Sequence, residues 1–275
     1  MIKELRVGTL ISGGGTNMQA IVNACIDGTV NAEVVFVGAD NPDAKGLVWA
    51  KQQGIPTFVV DYANICQNLR FACLGDDYPD GGVVQEAFEK SAYVHSFFDG
   101  DEAKQHQHIR AKVAAEMALL KEIKKRKIDL LVLAGFMQFC TSYLIDNVNR
   151  GDDDLRIMNI HPALLPAFPG TDGYGDTIRY GCKVGGCTVH FVDYGEDSGP
   201  IIGQRAIPVL RGEDVDSFRK RGLQEEYKLY PECIQLFAQG RLLVTENGGR
   251  KIVSIIPPGL KVTTAMETHN NPRAI

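Results

Sequence analysis

The sequence predicts an α/β fold: a Rossmann-like, mostly parallel sheet flanked by helices, with a β-hairpin extension. Strand and helix patterns alternate over residues 5–60, and a glycine-rich turn at 12–17 follows the first strand and opens a helix. Two β-segments on either side of residues 193–199 are joined by a turn-rich loop. Strand–helix–strand repetition gives a parallel sheet with right-handed crossovers, whose ligands bind outside the carboxyl ends of the strands.

Residues 5–60 divide into apolar runs and helical segments. The runs predicted as strands are 5–11, 33–38 and 56–60. The segments predicted as helices are 18–26 and 44–53, which are followed by Gly28 and Gly54. Glycine commonly ends a helix because it adopts the left-handed conformation without a steric penalty.

The alternation stops at an insertion of irregular composition, residues 63–101. Its turn signals lack a sustained period, so one helix is expected there, near 84–92. Residues 102–127 are predicted to form a long helix, because apolar residues recur at spacings of four, four, three and three. The histidines of this region are expected to be exposed or capping residues: His95, His106 and His108.

The second half of the chain returns to strands and helices. The predicted strands are 129–136, 155–161 and 242–246, with 187–192 and 200–210 as paired β-segments. The predicted helices are 142–148 and 215–239, the second with a possible break at Gly222. We therefore expect one domain over residues 1–255 and a C-terminal tail over 256–275.

Composition and charge narrow the class of protein. A net charge of −5 over 275 residues gives no reason to expect nucleic acid or a membrane surface as a partner. The 7 cysteines never stand as C-x-x-C, so reduced thiols are expected rather than disulfides or a metal site. Neither a signal pattern nor an apolar run of membrane-spanning length is present. These features predict a soluble cytoplasmic protein, and we expect it to be a monomer or a homodimer.

The glycine-rich turn is a candidate phosphate site. After Ser12, its members are Gly13, Gly14, Gly15, Thr16 and Asn17. Backbone N–H groups at a helix N-terminus, together with the helix dipole, favour an anion. No lysine follows the turn, and Met18 occupies the last glycine position of G-x-G-x-x-G, which weakens the triphosphate and dinucleotide interpretations. A single phosphomonoester fits best, and a tight turn without a ligand is the alternative.

The candidate catalytic pair lies at the end of a predicted strand. Asn159 and His161 are two residues apart, so both side chains project from one face of that strand. Pro162 and Pro166 restrict the backbone that follows. Two hydrogen-bond donors fixed at the carboxyl end of a strand suit a developing oxyanion. A lone Asn-x-His more often satisfies a turn, so this interpretation depends on the rest of the chain.

An acidic loop supplies a candidate partner for this histidine. Glu196 and Asp197 lie beside the paired β-segments. A carboxylate in that place is able to orient a histidine and keep it protonated, the pairing that acid–base chemistry needs. By itself the loop is an ordinary acidic turn, and His190 on the preceding strand is interpreted as a packed core histidine.

Several segments, in this order, make the sequence similar to a known family. They are residues 10–17 (LISGGGTN), 133–137 (LAGFM), 159–166 (NIHPALLP), and 189–192 (VHFV) with 197–200 (DSGP). Together they resemble glycinamide ribonucleotide formyltransferase, an enzyme of purine biosynthesis. The similarity runs from about Leu5 to about Glu246 and excludes the insertion. It implies the formyltransferase fold.

The resemblance also implies a reaction and the residues for it. Formyl would pass from 10-formyltetrahydrofolate to the primary amine of glycinamide ribonucleotide, with no metal and no covalent enzyme intermediate. Asn159 and His161 would stabilise the oxyanion, and Asp197 would hold His161 and help move a proton through water. The turn at residues 13–17 would hold the phosphate, and Glu226 would contact the amide side of that substrate. The folate-binding residues would be Met137, Gln138, Phe139, Asp193 and Asp197.

The sequence departs from the family on the substrate side. Ala163 stands where the family usually has serine, Gln138 where it has arginine, and Leu223 where it has lysine or glutamine. Residues 171–176 (TDGYGD) replace a segment similar to His-Thr-His. These changes leave the catalytic candidates intact and alter the walls around them. Formyl transfer to another phosphorylated amine, hydrolysis of formyltetrahydrofolate and folate binding without catalysis are therefore the alternatives.

Overall fold

Strands and helices alternate through the chain in a computed structural model that describes residues 4–68, 79–91 and 98–259. The strands are β1 (Leu5–Ile11), β2 (Ala32–Ala39), β3 (Thr57–Val59), β4 (Leu130–Leu133), β5 (Ile157–His161), β6 (Val184–Phe191), β7 (Ile201–Pro208), β8 (Leu242–Asn247) and β9 (Arg250–Ile255). The helices are α1 (Thr16–Ile26), α2 (Lys45–Gln52), α3 (Tyr62–Asn68), α4 (Gly81–Lys90), α5 (Glu102–Arg126), α6 (Ser142–Val148), α7 (Gly173–Tyr180) and α8 (Val215–Ala238), with a 3-10 helix at Phe98–Gly100. His95, parts of the predicted insertion and most of the predicted tail lie outside the described residues.

The first seven strands form one sheet in the order β3-β2-β1-β4-β5-β6-β7. Strands β1 to β5 pair in parallel, whereas β6 and β7 are antiparallel. The predicted mostly parallel sheet with a hairpin extension is confirmed. The strand order reverses between β1 and β4, and there the Ser12 N–H donates to the Gly135 carbonyl at 2.9 Å. Open α/β sheets bind their ligands at such a switch point.

Helices cover both faces of this sheet. Because side chains alternate along a strand, Ile11 of β1 packs in the layer of α1 and α8, and Leu10 packs in the layer of α5 and α6. The buried Tyr230 hydroxyl of α8 donates to the carbonyls of Leu133, at 3.1 Å, and Met158, at 2.8 Å. These bonds fasten α8 to β4 and β5, the strands whose carboxyl ends carry the candidate site. Across the part of the chain that is described, no helix has the length and apolar character needed to span a bilayer.

Some elements were not predicted. Helices α3 and α7 occupy segments without a helical period, and α7 has two glycines within 8 residues. Packing of the Tyr174 ring on Phe218, with centroids 5.6 Å apart, stabilises α7 where intrinsic propensity does not. Strand β9 pairs with β8 through Gly248 and Gly249, both of which have positive φ, as a tight hairpin turn requires. Ile256, predicted to begin the tail, is buried and donates its N–H to the Arg241 carbonyl.

The predicted break at Gly222 is wrong, because α8 continues through this residue. A Cβ atom at position 222 would lie 2.2 Å from Cζ of the Tyr174 ring. The glycine is therefore required by the close approach of α7 rather than by a change in the helix.

Replacing Gly222 with alanine is expected to destabilise the protein although alanine favours helix. Overpacking a core typically costs about 1–3 kcal/mol, which exceeds the gain of about 1 kcal/mol in helix propensity. Urea denaturation measures the difference in the free energy of unfolding. Gly81→Ala in α4 is the control, because a Cβ there meets no described atom within 4 Å. Equal stabilities of wild type and Gly222→Ala would contradict the packing argument.

Candidate active site

His161, the last residue of β5, is 2% exposed and has an acceptor at each ring nitrogen. Its Nδ1 lies 3.1 Å from Oδ2 of Asp197, and its Nε2 lies 2.7 Å from the Phe168 carbonyl oxygen. Two acceptors require two N–H groups, so the ring is held as an imidazolium. Burial lowers the pKa of His161, but the hydrogen bond and charge of Asp197 outweigh burial and raise this pKa above its usual value.

Asp197 is the counter-charge of His161. Its Oδ2 also accepts a hydrogen bond from the Gly170 N–H at 2.9 Å, and its Oδ1 lies 3.5 Å from Nδ2 of Asn159. Burial opposes ionisation of this carboxyl, but the hydrogen bond and charge of His161 hold its pKa well below its usual range. The surroundings of the Asp197–His161 pair therefore favour the charged form of both side chains.

Both partners of His161 have left-handed backbone. Phe168 has a φ of 55° and Asp197 a φ of 48°. This region costs a residue other than glycine about 1–2 kcal/mol, and such strain clusters at functional sites. The two residues in this conformation, Phe168 and Asp197, are the ones that supply the acceptors of the buried imidazolium. Their backbone conformation thus places the two acceptors that orient the ring.

Asn159 faces the same group of side chains, opposite His190 in the pairing of β5 with β6. Nδ1 of His190 lies 2.8 Å from the Phe191 carbonyl, which assigns the ring proton to Nδ1. Nε2 of His190 is then the acceptor for the Asn159 amide, at 3.4 Å. His190 is buried, as predicted, but the interpretation as a core histidine alone is wrong, because its ring also borders the candidate site. Only the register of β5 against β6 reveals this pairing.

A cavity of about 540 Å³ opens beside these side chains. Its wall includes Asn159, His161 and Asp197, together with side chains from the loops after β4 and β6. The residues that follow β1, β4 and β5 thus meet at one edge of the sheet, as the fold class predicts.

The glycine-rich turn has the open backbone that an anion site needs. Gly15 caps α1 with a φ of 64°, and the described residues give this helix end no side-chain cap and no acidic residue in its first turn. Gly13 and Gly14 are exposed, and a Cβ at either would meet no described atom within 4 Å. The side-chain amide of Asn17 donates to Glu226 at 2.6 Å and is therefore not available to a ligand in the turn. The backbone N–H of Asn17, in the first turn of α1, is the group that could donate a hydrogen bond to an anion.

Glu226 is a buried carboxylate, 4% exposed, in the cavity wall. It accepts hydrogen bonds from the Tyr174 hydroxyl and the Asn17 amide, each at 2.6 Å. None of the described cations forms an ion pair with it. Oδ1 of Asn17 is also buried and has no hydrogen-bond partner among the described residues. Two acceptors at one wall suit the N–H groups of a primary amine or amide.

Known proteins share this sequence and fold. A family model described as formyl transferase matches residues 5–234. Phosphoribosylglycinamide formyltransferase from Bacillus subtilis is 31% identical over 240 residues, which cover 87% of this chain and 95% of that protein. Glycinamide ribonucleotide transformylase 1 from Symbiobacterium toebii superposes with a TM-score of 0.69 at 36% identity, covering 92% of this chain and 94% of its own.

The chain belongs to the formyl transferase family. The resemblance found in the sequence segments is confirmed. The chain also matches a trifunctional purine biosynthetic protein, adenosine-3, from Drosophila melanogaster, with 31% identity over 245 residues. The matched region covers 88% of this chain but only 14% of the length of that relative. This chain thus corresponds to one part of the longer members of the family.

Within this formyl transferase, the predicted site residues are distributed as follows. Asn159 and His161 both contact Asp197. The predicted folate-binding residues that border the cavity are Met137, Gln138, Phe139, Asp193 and Asp197. The departures from the family at Gln138, Tyr174 and Leu223 also lie in this wall, whereas Ala163 is fully buried and does not line the cavity. No group of three or more potential metal ligands occurs among the residues described.

Proposed function

We propose that this formyl transferase moves formyl from 10-formyltetrahydrofolate to the primary amine of glycinamide ribonucleotide, a step of purine biosynthesis. The observation that carries the proposal is the buried His161–Asp197 ion pair, with Asn159 beside it, at the wall of a cavity at the switch point of the sheet. Family membership supports the reaction. The residue roles are inferred from geometry and charge.

The proposed reaction uses the two substrates, these side chains and a water molecule. The amine nitrogen attacks the formyl carbon, and the carbonyl oxygen takes the negative charge. The imidazolium of His161 and the Asn159 amide stabilise this oxyanion. The bond from the formyl carbon to folate N10 then breaks, and the amine proton passes through water, with the help of Asp197, to N10. The products are a formamide and tetrahydrofolate.

His161 must change one contact to act in this way. In the described state its Nε2 donates to the Phe168 carbonyl at 2.7 Å. The substrate oxygen replaces that carbonyl as the acceptor, while Asp197 keeps its hold on Nδ1. The Asn159 amide is less tightly held, because its contacts with His190 and Asp197 are 3.4 Å and 3.5 Å long. It is therefore free to turn towards the oxyanion.

Each end of the phosphorylated substrate has a proposed partner. The backbone N–H groups of Gly13, Gly14, Gly15, Thr16 and Asn17 hold the phosphate at the start of α1. Glu226 and Oδ1 of Asn17 accept hydrogen bonds from its N–H groups. The co-substrate lies against Met137, Gln138, Phe139 and Asp193. We propose a cytoplasmic protein, monomeric or homodimeric, with small molecules as partners in place of nucleic acid or membrane.

Tyr174→Phe is expected to weaken binding of the phosphorylated amine. The variant removes the hydroxyl that donates to Glu226 and leaves the ring that packs on Phe218. A hydrogen bond to a charged group contributes about 1.5–3 kcal/mol, so KM for the amine should rise at least about tenfold with little change in kcat. Steady-state kinetics with saturating folate measure this. Tyr180→Phe, at a residue that is 80% exposed, is the control and should leave KM unchanged.

A formyl-transfer assay with purified protein tests the proposed function. The protein is incubated with 10-formyltetrahydrofolate and glycinamide ribonucleotide, and mass spectrometry follows the formamide and tetrahydrofolate. Parallel reactions contain other phosphorylated primary amines or no acceptor. Product with a different amine alone would reassign the acceptor, and formate release without an acceptor would indicate a hydrolase. Folate binding with no turnover in any reaction would leave a non-catalytic binder and overturn the proposal.

A further inference from the structure

The loop of residues 193–199, which carries Asp197, lines two cavities. One is the cavity of the candidate site, and the other, of about 660 Å³, is also lined by residues of α6, the β8–β9 hairpin and Lys90. The loop contains no aliphatic side chain. Segments with few buried apolar contacts open most easily, so polar contacts must determine where this loop lies.

Within the loop, Asp193 closes the chain on itself. Its Oδ1 accepts hydrogen bonds from the Ser198 hydroxyl at 2.6 Å and from the Gly195 N–H at 3.1 Å. Asp197, the neighbour of Ser198, holds His161 and the Gly170 N–H. Because the loop is bonded internally, a displacement at any of its residues also moves Asp197.

Tyr194 fastens this loop to the helices beside it. Its hydroxyl donates to Oδ1 of Asp146 in α6 at 2.5 Å, and Oδ2 of the same carboxylate lies 3.0 Å from the Lys90 ammonium. That ammonium also lies 5.4 Å from the centroid of the Tyr194 ring, within the range of a cation–π contact. Burial and the hydrogen bond to Asp146 raise the pKa of Tyr194 to about 12, so the phenol keeps its proton and donates it to the carboxylate.

Lys90 is held in place by α4, a helix in the segment predicted as an insertion. Its ammonium donates to Glu86, one turn earlier, at 2.8 Å. A buried apolar cluster attaches α4 to α5 through Val84, Ala87, Phe88, Ile109 and Val113. Helix α5 in turn borders the candidate site at His108, which is half-buried in the cavity wall, so the prediction of an exposed or capping residue is wrong. Lys90 is thus fixed to the framework of the site.

We propose that Tyr194 and Lys90, acting through Asp146, are positioning residues for Asp197. The inference rests on the proposed function, in which Asp197 orients His161 and Asp193 contacts the co-substrate. Tyr194 borders the second cavity and not the candidate-site cavity, so its effect on the reaction is indirect. Its tether keeps the Asp197 carboxylate 3.1 Å from Nδ1 of His161 and keeps the co-substrate wall in place before binding. The predicted insertion thereby contributes to the geometry of the site.

Tyr194→Phe tests the proposal, because it keeps the ring and removes the hydroxyl that reaches Asp146. The value of kcat/KM for 10-formyltetrahydrofolate should fall about three- to tenfold, the range for one partly exposed hydrogen bond, while KM for the amine changes less than about twofold. NMR titration should show that the pKa of His161 moves down towards 6.5, because Asp197 is held less closely. Tyr180→Phe, at a residue 80% exposed, is the control and should change neither value.

Lys90→Met should have the same effects, and Lys90→Arg, which keeps the cation, should recover most of the loss. The variant with both Tyr194→Phe and Lys90→Met should lose little more than Tyr194→Phe alone, because both residues act through Asp146. Lys125→Met is the matched control, since this exposed lysine of α5 also pairs with a carboxylate on its own helix, at 2.6 Å from Glu122. A double variant whose loss equals the product of the two single losses would overturn the coupling through Asp146.

The outcomes separate this inference from the proposed function. Lower stability in urea with unchanged kcat/KM and an unchanged His161 pKa would show that Tyr194 only supports the fold, and would overturn the positioning role. An equal loss for both substrates would overturn it as well. Failure of wild type to transfer formyl would overturn the proposed function alone. The NMR titration needs no turnover, so it then decides: a His161 pKa that falls in Tyr194→Phe but not in Tyr180→Phe supports the positioning of Asp197, and an unchanged value overturns it.

Discussion

Asp197→Asn is expected to lower kcat/KM for formyl transfer by about 10³-fold while the protein still folds. The substitution keeps the shape of the side chain and removes the charge that lies 3.1 Å from Nδ1 of His161. Burial then dominates the pKa of His161, which falls from above its usual value of 6.5 to below it. At neutral pH the imidazolium is lost, and with it the positive charge that stabilises the oxyanion.

Two measurements check this result. Steady-state kinetics give the loss of activity, and NMR titration of the His161 ring gives its pKa in both proteins. Asp153→Asn, the same chemical change at an exposed loop residue, is the control. Unchanged turnover, or a His161 pKa that stays above 6.5 in Asp197→Asn, would contradict the role of the pair.

The ion pair also determines how pH affects stability. Because the pKa of His161 is raised by folding, its contribution is present below the unfolded pKa and is lost as pH rises through the folded pKa. Because the pKa of Asp197 is lowered, its contribution is present above the unfolded pKa and is lost as pH falls through the folded value. The pair therefore stabilises the fold most in weakly acidic solution, above the unfolded pKa of Asp197 and below that of His161.

What the sequence predicted well is local. Asn159 and His161 share a face because side chains in a strand alternate, and the glycine-rich turn after β1 predicted the helix that begins at Thr16, two residues before the predicted start. The apolar runs identified the parallel strands, because strands buried on both faces read as continuous apolar segments. Such signals depend only on residues that are close in the chain.

What the sequence could not supply depends on tertiary contacts. His190 reaches Asn159 only through the register of β5 against β6. Helix α7 forms because Tyr174 packs on Phe218, and the Tyr174 hydroxyl reaches Glu226 across 52 positions of sequence. The Gln138 side chain likewise forms hydrogen bonds with both Asp40 and Lys112, which lie in separate segments of the chain. Hydrophobic periodicity and secondary-structure propensity do not predict such contacts between residues that are distant in the sequence.

His161→Ala is the second change with a large expected effect, a loss of about 10³-fold or more in the rate of formyl transfer. Removal of one oxyanion-stabilising donor typically lowers kcat by about 10²–10³, and this variant also leaves the Asp197 carboxylate buried without its cation. Single-turnover kinetics measure the chemical step, and circular dichroism verifies the fold. His106→Ala is the control, because His106 stacks on Phe88, with ring centroids 3.8 Å apart, and is not part of the candidate site.

His161→Gln separates the charge of the ring from its hydrogen bond. Glutamine retains N–H donors but is neutral, so its rate should exceed that of His161→Ala by no more than about tenfold, the equivalent of about 1.4 kcal/mol. A rate close to that of wild type would show that an N–H group is sufficient. The pH profile is the independent test. Wild-type activity should fall as pH rises through the raised pKa of His161, and neither variant should show that fall, because neither carries a group at this position that loses a proton there.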